Sequence, residues 1–166
     1  MTLSRLPNQP TTQLMAHDVR DIVATILHGL QNSLDAASIR FEIDVPDGLD
    51  VPRSEQIFTQ AVDQLIRYAM RRCDHDGELL VSARIRGDQI DFEVADSGAS
   101  ISSRVNADET ENSPSTCMPI EFERARRLIA SIGGNCQATN CPQGGVAWTI
   151  NIPHPVADDR RNIFGT

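Results

Sequence analysis

Lysine is absent from this chain: all fifteen basic residues are arginine, set against 23 acidic residues for a formal net charge of −8. The missing lysine points to a coding bias. The negative charge argues against a sequence-independent nucleic-acid binder, whose affinity comes from a basic surface. Cysteine is sparse, and Cys73, Cys117, Cys136 and Cys141 form no C-x-x-C pair. A bridge between Cys136 and Cys141 across a hairpin remains the alternative to free thiols. The chain shows no signal peptide and no apolar run long enough to cross a membrane, so a reduced, cytoplasmic protein is expected. No Ser-His-Asp or Cys-His arrangement is legible, and His75 has no second ligand pair at metal spacing. What is present is enough for one domain, since 166 residues with 40% hydrophobic content bury a core without disulfides or metal.

Residues 1–11 read as a loose arm and 13–16 as a short edge strand. Asp18 then caps a helix over 18–37 whose apolar face is Val19, Ile22, Val23, Ile26, Leu27, Leu30 and Leu34. A strand over 39–45 and the Pro46-Asp47-Gly48 turn lead to a second helix over 54–72, opened by Pro52 and Ser54. Its expected core face is Ile57, Phe58, Ala61, Val62 and Leu65. Strands 79–86 and 89–95 meet at Gly87-Asp88, a hairpin dipeptide. The polar stretch 102–118 has the length of a functional lid or a disordered loop. A third helix over 120–132 stops at Gly133-Gly134, strands 135–139 and 146–152 follow, and 154–166 is a polar tail. Three helices interleaved with hairpin-joined strands give an α+β two-layer sandwich, a mixed sheet of five or six strands covered on one face.

Within this order, residues 90–101 carry the most chemistry. Ile90, Phe92 and Val94 alternate with Asp91 and Glu93, and the strand runs into Asp96-Ser97-Gly98. A carboxylate fixed at a strand end, beside a glycine that permits close approach, can accept a hydrogen bond from an exocyclic amine such as that of adenine. The same residues also suit an ordinary turn.

Three stretches together narrow the choice: Gln56-Ile-Phe-Thr-Gln-Ala-Val-Asp-Gln-Leu-Ile-Arg-Tyr68, Val94-Ala-Asp-Ser-Gly-Ala-Ser-Ile101, and Arg127-Leu-Ile-Ala-Ser-Ile-Gly-Gly134 with the hairpin 142–153. In order and spacing they resemble the Asn-containing helix, the Asp-x-Gly-x-Gly box and the closing helix and hairpin of the histidine-kinase ATPase domain. This Bergerat or GHKL fold is shared with gyrase and heat-shock chaperone ATPases, and the resemblance spans 12–153. It implies a nucleotide site in which Asp96 accepts the adenine amine, Gly98 lets the base approach and Thr149 supports the same pocket. It also implies that Gln60 and Gln64 stand at the amide positions, Arg67 at a phosphate-contacting position, and Tyr68 beside the nucleotide.

Several of these positions depart from the family pattern. Gln64 replaces the magnesium-binding Asn, and magnesium demands near-ideal octahedral geometry that an amide one methylene longer reaches only by bending back or through water. Ser100 replaces the second glycine of the Asp box. At the entry to the third helix, Pro119 offers no N–H, while Glu121 and Glu123 put carboxylates where relatives cradle phosphates. The resulting expectation is a degenerate member that binds ATP or ADP weakly, has impaired magnesium coordination, has no assignable catalytic or metal residue, and acts in bacterial signalling through protein contacts. Its partner would be a receiver domain or another regulator. Two alternatives stand beside it: an active ATP-dependent kinase subunit of two-component or anti-sigma-factor type, and a phosphotransfer adaptor using His17 or His28. The 55 residues before Gln56 are taken up by the domain itself, leaving no room for a dimerising phosphoacceptor hairpin. Pairing of the first helix with a copy of itself stays open. Arg71, Arg72, Arg124, Arg126 and Arg127 are candidates for a basic strip facing an acidic partner.

Overall fold

The computed structural model describes residues 18–51, 54–101 and 118–154. Expectations for the arm, for strand 13–16, for His17 and Cys117, for the lid beyond Ile101 and for the tail lie outside these residues.

Helix α1 spans Val19–Ala36, and its apolar repeat at helical spacing is buried as a single face. Asp18 caps it by accepting from the Arg20 N–H at 2.7 Å, and also accepts from the Gly48 N–H, tying the helix start to the following turn. Strand β1 (Arg40–Asp44) lies parallel to β2 (Glu78–Arg86), and helix α2 (Glu55–Arg72) forms the crossover between them. Ser54 stands at the N-cap of α2 in a left-handed conformation, φ 74°, and its hydroxyl makes no capping bond. Ile57, expected in the core face of this helix, is only half-buried, whereas Phe58, Ala61, Val62 and Leu65 are buried.

Strand β3 (Gln89–Asp96) returns antiparallel to β2 through Gly87, whose φ of 64° suits the tight turn. Helix α3 (Ile120–Ser131) then leads to the hairpin β4 (Asn135–Asn140) and β5 (Val146–Pro153). The sheet order is β1-β2-β3-β5-β4, a mixed sheet of five strands among the described residues. With three helices beside it, this is the expected α+β sandwich, with element ends within a residue or two of those read from periodicity.

Strand alternation fixes the two faces. Leu79, Val81 and Ala83 of β2, Ile90, Phe92 and Val94 of β3, and Val146, Trp148, Ile150 and Ile152 of β5 are buried against the helices. Phe58 meets Phe92 edge-on, ring centroids 5.5 Å apart, joining α2 to the sheet centre. Asp96 is in phase with this row: 96 follows 90, 92 and 94 at period two, and it faces the core. It is the one buried carboxylate among the described residues.

Candidate functional site

A carboxylate at the end of an apolar row must find partners inside the protein or lose its charge. Asp96 is 4% exposed as a residue, and its side chain is fully buried. Its Oδ2 accepts from Arg72 Nε at 3.0 Å and from Trp148 Nε1 at 2.8 Å, while Oδ1 accepts from the Gly98 N–H at 3.0 Å. An ionised carboxylate offers about four acceptor positions, so three of them are filled from within the chain.

Arg72 comes from the last turn of α2 and is itself largely buried. Beyond Asp96 it donates to the Ala99 carbonyl, and its guanidinium carbon lies 5.5 Å from the Trp148 ring centroid and 5.9 Å from that of Tyr68. Burial pulls the Arg72 pKa down, but the hydrogen bond and charge of Asp96 outweigh it and the net direction is up. Arg72 is therefore held protonated against the carboxylate. Breaking such a buried pair by deleting one partner is costly, even though the intact pair adds little beyond an apolar substitute.

Aromatic rings close the space around the pair. Trp148 is fully buried and meets Tyr68 of α2 edge-on at 5.2 Å and Phe122 of α3 at 5.3 Å. Backbone closes the other side. Gly98 lies so near the Arg72 carbonyl, and Gly145 (φ 84°) so near the Asp96 carbonyl, that a Cβ at either position would collide with main chain. Gly98 thus serves close packing of the Asp96 turn on the end of α2.

The other residues expected at the site are dispersed. Arg67 points outward and pairs with Asp63 one turn earlier at 2.9 Å. Gln60 and Gln64 line a separate groove of about 380 Å³ between α2 and α3, together with Arg124, Arg127, Leu128 and Ser131. Thr149 requires a correction. It pairs with Glu93 and Gln137, one residue out of phase with Trp148, and so stands on the sheet face turned away from the helices and from Asp96. Tyr68 does lie beside Asp96's neighbours, but as a packing partner of Trp148.

The entry to α3 is neutralised by ion pairs. Pro119 is its N-cap residue and supplies no side-chain cap. Glu121 in the first turn pairs with Arg71 at 2.6 Å, and Glu123 pairs with Arg126 at 2.8 Å. The basic strip read from sequence is corrected accordingly: Arg71, Arg72 and Arg126 have carboxylate partners, leaving Arg124 and Arg127 as its exposed members without one among the described residues.

His28 and His75 are exposed, and no group of His, Cys, Asp or Glu among the described residues could hold a metal ion. Cys73, Cys136 and Cys141 are free thiols, so the hairpin bridge is not formed. Burial pushes the Cys136 thiol up to about 12, which keeps it protonated and unreactive near neutral pH. No helix among the described residues is long and apolar enough to cross a membrane.

No family model matches the sequence, and no curated protein matches it. Solved structures do match. The catalytic domain of histidine kinase ThkA superposes with a TM-score of 0.71 at 16% identity, covering 84% of this chain and 95% of that one. Histidine kinase AdeS of Acinetobacter baumannii gives 0.69 at 21% identity, covering 85% and 67%. The mycobacterial sensor histidine kinase MprB gives 0.67 at 17%, covering 84% and 99%. Three helices on a sheet ordered β1-β2-β3-β5-β4, with a buried aspartate ending β3, give this chain the fold of a histidine-kinase catalytic domain.

Proposed function

We propose that the chain is a histidine-kinase-like domain of bacterial signalling in which the nucleotide site has been filled by the protein's own side chains, and that it works through protein contacts. One observation carries the reading: the Asp96 carboxylate, which would have to accept the adenine amine, already holds Arg72 and Trp148. The acceptor position that remains on the carboxylate is closed off by the complete burial of the side chain, so a nucleotide would have to part these contacts before its base could reach it.

The residues at the phosphate end fit magnesium no better. Gln64, at the amide position, shares its groove with Arg124 and Arg127, and two guanidiniums without counter-ions oppose a dication. Among the described residues no carboxylate cluster replaces it. Arg67, bound to Asp63 on the outer surface, is not aimed at the same space. ThkA has been solved in complex with the response regulator TrrA, an assembly of a like-folded domain's parent protein that favours a regulator of this class as partner here.

Isothermal titration with ADP, with and without magnesium, tests the loss of the site. The expected result is no saturable heat up to millimolar ADP, with magnesium making no difference. Micromolar binding that requires magnesium would sink the reading and favour an active kinase subunit.

A further inference from the structure

The groove between α2 and α3 is lined by Gln60 and Gln64, four residues apart on one helix, and by Arg124 and Arg127, three apart on the other. Each pair spans one helical turn, so each presents two neighbouring polar groups about 5–6 Å apart at Cβ. Arg124 and Arg127 are exposed and have no carboxylate partner among the described residues, whereas the neighbouring Arg71 and Arg126 are paired. On a chain of net charge −8, two adjacent guanidiniums left uncompensated form a local field of the opposite sign. Gln64 adds a second demand. Its Oε1 is buried and accepts no hydrogen bond, although the residue as a whole is only half-buried. An unmet acceptor of this kind is costly, and Gln64 is among the residues that line the groove.

We infer that this groove is a docking site for an acidic segment of a partner protein, whose carboxylates engage Arg124 and Arg127 and whose backbone N–H groups satisfy Gln64; the inference rests on the protein-contact role proposed above. Two features favour a protein segment over a free phosphate. All four polar residues are interior to their helices, so their backbone N–H groups are committed to the helix ladders and only side chains face the ligand. A phosphate site is more often built on free N–H groups at a helix start or a nest. Guanidiniums pair bidentately with carboxylate and phosphate alike, but only a peptide also brings the N–H donors that an amide oxygen needs.

The test uses the full chain and a fluorescein-labelled twelve-residue extended peptide carrying glutamates at alternate positions, whose backbone N–H groups are free to donate, read by fluorescence anisotropy at low salt. Saturable binding is expected, weakening steeply with salt, and R124E/R127E should reduce affinity by about tenfold or more. The control R126A, whose partner is Glu123, should leave it unchanged, as should 10 mM inorganic phosphate or ADP when compared with sodium chloride at matched ionic strength. A peptide with glutamine at the same positions should not bind. Three results would overturn the proposal: no saturable binding, undiminished binding to R124E/R127E, or competition by inorganic phosphate at equal strength, which marks a small-anion site. The ADP titration is independent of these outcomes. A blank ADP titration with failed peptide binding removes the groove and leaves the filled nucleotide site standing, whereas magnesium-dependent ADP binding removes the latter whatever the peptide does.

Discussion

Replacing Asp96 with alanine is expected to destabilise the fold by about 3–5 kcal/mol, the cost of stranding a buried charge whose partner has been removed. Arg72 would keep its place under Tyr68 and Trp148 with no counter-ion, and the Trp148 N–H would lose its acceptor. Asp96→Asn should cost less, because an amide oxygen at the Oδ2 position still accepts from Arg72 and Trp148, while the charge and the bond from the Gly98 N–H are lost. The double variant R72M/D96L should recover much of the alanine loss, since an apolar pair of similar volume replaces a buried ion pair with little net penalty. Denaturant midpoints at constant slope measure all three. A loss below about 1 kcal/mol for Asp96→Ala, comparable to an exposed ion pair, would show that the pair does not hold the site together.

Trp148→Ala is expected to cost a similar amount, about 3–5 kcal/mol, for a different reason. The indole is fully buried between α2, α3 and β3, in contact with Tyr68 and Phe122, and its removal leaves a cavity where three elements meet. Trp148→Phe separates the two contributions. It keeps a ring in the cluster but removes the N–H, so Asp96 loses one of three donors, at about 1–3 kcal/mol. If Trp148→Phe proved neutral, the hydrogen bond to Asp96 would be incidental to the packing.

Both predictions depend on contacts that a sequence shows poorly. The helices and strands were legible because their apolar residues repeat at 3.6 or 2 residues, and the hairpin at Gly87-Asp88 and the stop at Gly133-Gly134 are local signals. The ion pairs were not. Arg72 lies 24 residues before Asp96 and Trp148 lies 52 after it, separations over which only the tertiary fold decides who meets whom. One signal was available: Asp96 continues the phase of Ile90, Phe92 and Val94, so it had to face the core and needed internal partners. The same parity separates Thr149 from Trp148. Arg124 and Arg127 could not be told from Arg126 and Arg71 by spacing, because the carboxylates that neutralise the latter two lie on facing or adjacent turns of folded helices. Gln64 was placed at an amide position by resemblance, while its groove companions come from α3 and follow only from helix packing.

Trp148 is the only tryptophan in the chain, so its indole N–H gives a single, unambiguous resonance reporting on the Asp96 carboxylate. Proton NMR of this signal during hydrogen exchange and ADP addition is the most direct test of whether the site is filled from within. The account expects an N–H strongly protected from exchange, and unmoved by ADP to millimolar concentration with or without magnesium. A rapidly exchanging indole, or a shift that saturates at micromolar ADP, would contradict it and leave Asp96 free to accept an adenine amine.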